Sequence, residues 1–346
     1  MVGVSKSIMA SAPRRELARN VREAQDAPRI RVGVIGIGVM GSNHARVLAE
    51  LPGVELVALA DPDRDVAGRV AELLGTKAVG GHKELIAAGV DAVTIAAPTH
   101  LHNPIALDCI AAGCHVLVEK PIASTVEEGN AIVAAARRKG LTLMAGHVER
   151  FNPAVEAIKD ALKGEDILSI AITRVGPFPP RMSNVGVVID LAVHDIDLIR
   201  WFTESDIIEV QPQLASTVAQ REDIALLQFR TASGVLAHIN TNWLTPFKAR
   251  TVHVATKKKY VIGDLLTRQV SECFDYKADG SYSMRHLPVG HSEPLRVELT
   301  RFIEAIRSGE KPPVTGEEAV ASLEIAIQCL NGNKVAAHPA ARRVAG

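Results

Sequence analysis

The sequence has few cysteines and no excess of charge of either sign. Its 346 residues include 4 cysteines with no Cys-x-x-Cys pair, so neither a disulfide scaffold nor a redox motif is indicated. Lys plus Arg and Asp plus Glu both number 39, a balance that argues against a nucleic-acid-binding or polybasic membrane protein. We expect a cytoplasmic protein whose partner is a small molecule.

Long apolar runs are also missing. No uninterrupted stretch approaches the roughly 18 residues that a membrane helix needs, although 47% of the residues are hydrophobic. Residues 1–28 contain arginines and acids without the apolar centre of a secretory signal, and we predict a loose extension there. The rest of the chain is too long for one domain of roughly 150 residues. We therefore expect two domains, at 29–150 and 151–335.

Two strand patterns divide the chain. Between Ile30 and Ala145, short β-branched runs alternate with alanine-rich helical stretches, which is typical of a parallel sheet. After Asn152, strands such as 235–243 alternate apolar and polar residues, which favours a largely antiparallel sheet with one open face. The predicted fold class is α/β, with an N-terminal Rossmann domain and a C-terminal α+β domain. Two C-terminal helices are expected to pack back toward the first domain.

A glycine motif follows the first predicted strand. Gly36, Gly38 and Gly41 form Gly-x-Gly-x-x-Gly between the apolar run RVGVI and a helical stretch, a context that indicates a dinucleotide-binding turn. A pyrophosphate would lie at the start of that helix, beside Val39 and Met40. Further cofactor contacts are expected at the end of the fourth predicted strand, from Pro98, Thr99 and His102.

Asp61 bears on the choice between NAD and NADP. It ends the second predicted strand, where a carboxylate accepts hydrogen bonds from the adenosine ribose and repels a 2′-phosphate. The sequence therefore favours NAD. Arg64 keeps NADP open as the alternative, because an arginine at that place could bind the phosphate.

A cluster of possible metal ligands lies in the middle of the first domain. It consists of His100, His102, Cys109, Cys114 and His115. Their spacing matches no standard zinc signature, so we expect no metal in this protein.

Two segments carry residues that can move a proton. Lys120 follows a predicted buried strand, and Pro121 restricts its backbone to an extended or turn conformation. Further along the chain, Asp190, His194 and Asp197 are spaced to share one face of a predicted helix. A carboxylate and an imidazole on an apolar helix can form an acid–base pair, although a first-turn acid and a core histidine are the structural alternatives.

Together these motifs resemble the glucose-fructose oxidoreductase and inositol dehydrogenase family. The resemblance rests on the glycine motif, the Glu-Lys-Pro triplet at 119–121 and the Asp-x-x-x-His pair, and it spans nearly all of 30–335. It implies that Glu119 and Lys120 contact the cofactor and that Lys120 also positions the reacting hydroxyl. It further implies that His194 takes the proton of this hydroxyl and that Asp190 orients or binds the substrate. It also implies a homo-oligomer, since the family commonly pairs its open sheets.

Two segments narrow the resemblance within the family. GHVERFNPAV at 146–155 and PPRMSNVGVVIDLAVHDIDLI at 179–199 look like the branch that oxidises the 3-hydroxyl of nucleotide-linked N-acetylhexosamines such as UDP-N-acetylglucosamine, for lipid A synthesis. This implies a UDP-sugar substrate and makes Arg181 a candidate contact to its diphosphate or uridine. An inositol or free-sugar dehydrogenase and a non-catalytic NAD sensor remain as alternatives.

Overall fold

A computed structural model describes residues 28–179 and 185–332. Its first sheet has six parallel strands in the order β3-β2-β1-β4-β5-β6. The strands are β1 Ile30–Ile35, β2 Val54–Ala60, β3 Lys77–Val79, β4 Ala92–Ile95, β5 His115–Glu119 and β6 Leu143–Gly146. The intervening helices are α1 Val39–Glu50, α2 Arg64–Leu74, α3 His82–Ala87, α4 His102–Ala111 and α5 Val126–Lys139.

The sequence pattern of this sheet follows from its burial. β1, β4, β5 and β6 are almost entirely buried, and such strands are apolar runs without alternation. The predicted Rossmann sheet is confirmed. The short edge strand β3 was not predicted, because its three residues are not buried and are too few for an apolar run. The strand order reverses between β1 and β4, and ligands of such sheets bind in the crevice beyond the carboxyl ends of the strands at that point.

The second sheet has eight strands in the order β14-β13-β12-β11-β7-β10-β9-β8. The strands are β7 Ile167–Pro177, β8 Ile207–Ala215, β9 Ile224–Thr231, β10 Leu236–Asn242, β11 Leu244–Thr256, β12 Lys259–Asp264, β13 Gln269–Phe274 and β14 Ser283–His286. β10 pairs with β7 in parallel, and the other pairs of neighbouring strands are antiparallel. The prediction of a largely antiparallel second sheet is confirmed.

One face of the second sheet is packed and the other is open. In β10, Ala237 and Ile239 are buried, whereas Leu236 is half exposed. The packed face meets α6 Pro153–Ala161 and α7 Val193–Thr203 in one hydrophobic core. The alternation in the sequence reflects this difference between the two faces.

Two helices close the described chain, α8 Pro294–Ser308 and α9 Gly316–Asn331. α9 begins with a threonine–glutamate capping box, as its sequence indicates. α8 contributes Phe302 to the core of the first sheet, while α9 contributes Leu323 to that core and Ala326 to the core of the second. α9 therefore packs against both sheets. No helix among the described residues is both long and apolar enough to cross a bilayer.

Candidate active site

The glycine turn joins β1 to α1 at the carboxyl edge of the first sheet. Gly36 has a φ of +86°, and a Cβ there would lie 2.6 Å from the Ala97 nitrogen, so a side chain does not fit. A Cβ on Gly41 would lie 1.7 Å from the Gly36 carbonyl oxygen, which shows how closely helix and strand pack. A Cβ on Gly38 would have no described atom within 4 Å. The turn is thus open on the side where a pyrophosphate would approach.

The start of α1 can hold an anion. No described side chain caps the helix at Gly38, and Val39 and Met40 are 72% and 38% exposed. The first backbone N–H groups of a helix lack partners within the helix, and the helix dipole favours a negative charge near them. The residues at this turn therefore fit the pyrophosphate of NAD.

Asp61 lies beside this turn at the end of β2. Its Oδ2 accepts a hydrogen bond from the Ile37 nitrogen at 2.7 Å, and its Oδ1 accepts one from the Asp63 nitrogen at 2.9 Å. Arg64, the alternative partner for a 2′-phosphate, donates instead to Glu84 at 3.1 Å. The carboxylate is thus fixed beside the glycine turn, while the nearby guanidinium is already paired. Both observations favour NAD over NADP.

Residues after β4 take two different positions on the same edge. Pro98 is exposed and Thr99 is half-buried, so both are accessible to a ligand. His102 is only 1% exposed, and its ring nitrogens face the carbonyl oxygens of Ala97 at 2.8 Å and Pro121 at 2.9 Å. Burial lowers the pKa of His102. This ring holds two strand-end loops together, and both of its nitrogens face backbone carbonyl oxygens.

Glu119 is turned inward. Its Oε1 lies 2.9 Å from His44 Nε2, and its Oε2 accepts a hydrogen bond from the Lys120 backbone nitrogen at 3.1 Å. Within the described chain, the His, Cys, Asp and Glu side chains close enough to share a metal ion are His44, Glu119 and Glu298. The cluster between His100 and His115 that the sequence suggested is not assembled as such a group.

Lys120 and Asp190 form an ion pair although they lie 70 positions apart in the chain. Lys120 follows β5 and is joined to Pro121 by a cis peptide bond. Its Nζ donates to the Asp190 carbonyl oxygen at 2.8 Å and to Asp190 Oδ1 at 3.1 Å. Asp190 lies in a π-helical turn, Val188–Ala192, that leads into α7. The two side chains are 19% and 20% exposed, so a substrate can reach the pair.

His194 lies at the start of α7, one turn beyond Asp190. Burial, followed by the charges of Lys120 and Arg174, holds the pKa of the His194 imidazole well below its usual range. Its Nδ1 has no hydrogen-bond partner among residues 28–179 and 185–332. A neutral imidazole accepts protons, so His194 is a candidate general base.

Asp197 has a different position from Asp190 and His194. The sequence spacing places all three on one face, but the segment begins as a π-helical turn, which changes the register of the residues that follow. Arg150 donates its Nε and Nη2 to the Asp197 carboxylate, each at 2.7 Å. Asp197 is 1% exposed and belongs to this buried ion pair. The prediction of one shared face does not hold for Asp197.

A second buried ion-pair network supports the same region. Arg174 on β7 donates to Asp195 at 2.7 Å and to Glu149 at 2.9 Å. Arg250 on β11 also donates to Glu149, at 2.9 Å. Sequence reasoning missed these residues because the partners come from separate elements. The one available signal was an arginine within the otherwise apolar and small residues of β7.

Two expectations fall outside the described residues. Arg181, the predicted phosphate contact, is one of them, and nearly all of the predicted extension at 1–28 is the other.

The remaining candidates divide into two groups along the sheet edge. The glycine turn, Asp61, Pro98 and Thr99 could hold NAD, and Lys120, Asp190 and His194 lie together beyond the end of β5.

Comparison with known proteins decides the family. A model described as an oxidoreductase family with an NAD-binding Rossmann fold matches residues 30–147, and a GFO/IDH/MocA C-terminal domain model matches 169–262. Inositol 2-dehydrogenase 1 of Saccharopolyspora erythraea is 37% identical over 332 residues, which cover 88% of this chain and 94% of that protein. The chain belongs to the Gfo/Idh/MocA oxidoreductase family.

A second relative of this Gfo/Idh/MocA oxidoreductase is named for a different substrate. UDP-N-acetylglucosamine 3-dehydrogenase of Acidithiobacillus ferrooxidans is 30% identical over 237 residues, 68% of this chain and 74% of that protein. A solved structure of that enzyme has a TM-score of 0.82 and 26% identity, and the match covers 88% of this chain and 98% of the other. The chain is thus an NAD-dependent dehydrogenase, in a family whose members act on polyols and on nucleotide sugars.

Proposed function

We propose that this enzyme oxidises a secondary hydroxyl, at the 3-position, of a nucleotide-linked N-acetylhexosamine such as UDP-N-acetylglucosamine. The observation that carries the oxidation of a secondary hydroxyl is the Lys120–Asp190 ion pair beside His194, whose pKa is held well below its usual range. The similarity in fold to the Acidithiobacillus enzyme over 98% of that chain supports the nucleotide-sugar substrate.

In the proposed mechanism the reacting hydroxyl lies between Lys120 and His194. His194 accepts the hydroxyl proton as the hydride leaves the carbinol carbon. NAD, when bound, supplies the acceptor for that hydride. The Lys120 ammonium stabilises the negative charge that develops on the oxygen, and Asp190 keeps the ammonium in place. A positioned general base contributes roughly 10² to 10⁴ in rate.

The charge of Lys120 serves both sides of the proton transfer. Before the reaction, burial is the larger cause of the lowered pKa of His194, and the charge of Lys120 lowers this pKa further. The base is therefore kept unprotonated. During the reaction, the same ammonium favours the alkoxide over the alcohol. Asp190 limits the repulsion that a protonated His194 would otherwise meet, because its carboxylate pairs with the ammonium at 3.1 Å. The three residues therefore act as one unit.

Oxidation of an inositol is the second candidate. The 37% identity to an inositol 2-dehydrogenase spans 88% of the chain, more than the 68% covered by the UDP-N-acetylglucosamine 3-dehydrogenase at 30% identity. The same three residues serve either substrate, because each presents a secondary hydroxyl among others. The substrates differ in the diphosphate, for which Arg181 is the proposed contact.

A substrate panel tests the proposal. The purified enzyme is assayed for NAD reduction with UDP-N-acetylglucosamine, UDP-N-acetylgalactosamine, myo-inositol, scyllo-inositol and glucose. We expect the highest kcat/KM with UDP-N-acetylglucosamine and, by mass spectrometry, a product lighter by two hydrogen atoms. Arg181→Ala should raise KM for the UDP-sugar and leave KM for a neutral polyol unchanged. The highest kcat/KM with an inositol would favour the second candidate, and NAD binding without any turnover would favour a sensor.

A further inference from the structure

A second group of titratable side chains lies behind Lys120. His44 on α1, Glu119 at the end of β5 and Glu298 on α8 each present a ligand atom within 4.8 Å of the other two. His44 and Glu298 are 0% exposed, and Glu119 is 8% exposed. The proposed proton transfer uses none of these side chains. The group connects the helix of the glycine turn, the strand that leads to Lys120 and a C-terminal helix.

Glu119 is the ionised member of the group. Its Oε1 is hydrogen-bonded to His44 at 2.9 Å, and its Oε2 accepts from the Lys120 backbone nitrogen at 3.1 Å. Burial raises the pKa of Glu119, but the hydrogen bond from His44 and the charges of His44 and Lys120 outweigh burial and hold it below its usual range. Both of its oxygens are therefore used within the protein.

Glu298 is the carboxyl group of the three that lacks hydrogen-bond partners, and His44 Nδ1 lacks one as well among the described residues. Neither oxygen of Glu298 has a hydrogen-bond partner in the part of the chain that the structure describes. An ionised carboxylate there would stand in the interior without a hydrogen-bond donor, next to the negative charge of Glu119. Burial, followed by the charge of Glu119, raises the pKa of Glu298 well above its usual range.

The other charged groups around Glu298 are engaged elsewhere. α8 packs against α1 and against the turn that follows β6. The charged residues on these elements pair as Arg46 with Glu293, Arg296 with Glu50, Glu149 with Arg174, Arg150 with Asp197, and Arg301 with Glu304, and Arg307 donates to the Gly53 carbonyl oxygen. The titratable groups that face Glu298 are therefore His44 and Glu119.

We propose that His44, Glu119 and Glu298 form a buried proton-binding site, in which a proton on Glu298 allows two carboxyl groups to lie together behind Lys120. A proton fits better than a metal ion, because both oxygens of Glu119 already accept hydrogen bonds and all three residues are buried. Loss of the proton would make the two carboxylates repel each other and displace the strand end that carries Lys120. This inference is independent of the substrate proposed above.

Glu298→Gln is the variant that tests the site, because glutamine has the shape of the protonated carboxyl and carries no charge at any pH. Below the usual glutamate pKa of about 4.3, both the folded and the unfolded wild-type chain hold this proton. Above it, the unfolded chain releases the proton that the folded chain keeps, so the stability of the wild type falls as pH rises.

Melting temperatures measured across pH give the expected result. The melting temperature of Glu298→Gln minus that of the wild type should grow by about 2 °C per pH unit from about pH 5 upward. This growth should stop at the pKa of Glu298 in the folded chain. Glu304→Gln is the matched control, because Glu304 lies on the same helix, is 53% exposed in its side chain and pairs with Arg301. The difference in melting temperature between Glu304→Gln and the wild type should not change with pH. Glu298→Ala should melt lower than Glu298→Gln at every pH, because it leaves a cavity.

Two results of the melting experiments would overturn the proposal. One is a difference in melting temperature between Glu298→Gln and the wild type that stays constant across pH. The other is a Glu298→Gln protein that melts below the wild type at neutral pH while a chelator lowers the melting temperature of the wild type, which would indicate a bound divalent cation. A measurement on the wild type alone covers the case in which the variant does not fold. NMR of the enzyme with ¹³C-labelled glutamate side chains should show one carboxyl that is still protonated at neutral pH, and its absence would also overturn the proposal.

Discussion

At the scale of residues, the ammonium group of Lys120 determines the chemistry of the proposed site. Lys120 donates to Asp190 and contributes to the lowered pKa of His194. Sequence spacing alone could not assign this role, because a lysine at the end of a strand is usually just solvated. The role became an expectation only through the family resemblance, and the structure brings Lys120 and Asp190 into contact.

The pH dependence of the reaction follows from the state of His194. Burial, and then the charge of Lys120, lowers the pKa of this base from 6.5, so the ring remains neutral in mildly acidic solution. We expect the acid limb of kcat/KM to lie below pH 6.5 in the wild type, because activity is lost only when the base is protonated. The residual activity of Lys120→Met should have its acid limb at higher pH. A wild-type limb at or above pH 6.5 would mean that another group titrates.

Cofactor choice is a second prediction at this scale. Asp61→Ala should lower the preference for NAD over NADP by about tenfold or more, because it removes both the ribose acceptor and the charge that repels a 2′-phosphate. Asp61→Asn is the matched variant, since it keeps the size of the side chain and loses only the charge. The ratio of kcat/KM for the two cofactors measures the effect. A wild-type enzyme that used NADP better than NAD would contradict the assignment.

At the scale of elements, the sequence predicted what local forces decide. The glycine turn and the capping box of α9 depend on residues only a few positions apart, and both appear in the structure as expected. The π-helical turn at Val188–Ala192 is different, because its apolar spacing looks like ordinary helix. Other elements contact the turn itself and the helix after it, from Lys120 to Asp190 and from Arg150 to Asp197. Such contacts have no periodicity that a sequence can show.

The Arg150–Asp197 pair gives a prediction for the stability of α7. Asp197→Asn would leave the buried guanidinium of Arg150 without its main partner, and we expect it to lower the free energy of unfolding by about 3 kcal/mol or more. Asp206→Asn is the control, because Asp206 pairs with Arg200 but is 79% exposed. That control should cost less than about 1 kcal/mol. Denaturant unfolding measures both changes, and equally small effects would show that the buried pair does not stabilise the fold.

At the scale of the whole molecule, the proposed site draws on both halves of the chain. Lys120 follows the first sheet, while Asp190 and His194 belong to the segment that packs on the second. The change from apolar runs to alternating strands predicted the two sheets. A strand buried on both faces has a continuous apolar run, whereas a strand buried on one face alternates apolar and polar residues. The contact between Lys120 and Asp190 has no such signature, so the meeting of the two halves at the site could not be derived from the pattern.

The open face of the second sheet is the expected site of self-association. Leu226 and Leu236, on neighbouring strands, are 49% and 50% exposed there, and a second copy of the chain would cover them. Light scattering should give the mass of at least two chains at assay concentration. Leu226→Lys with Leu236→Lys should reduce that mass, whereas Leu73→Lys, on α2 and 85% exposed, should not. A monomeric wild type would contradict this prediction.

Proton transfer to His194 is tested most directly by comparing turnover with cofactor affinity in variants of the site. For the wild type, His194→Ala and Lys120→Met, kcat is measured with the substrate that the panel identifies, and the Kd for NAD is measured by calorimetry. We predict that kcat falls by about 10² or more in both variants while the Kd for NAD stays near that of the wild type. His286→Ala, which changes an exposed histidine on β14, should alter neither value. A folded His194→Ala enzyme that keeps most of its turnover would contradict the mechanism and make His194 a core histidine.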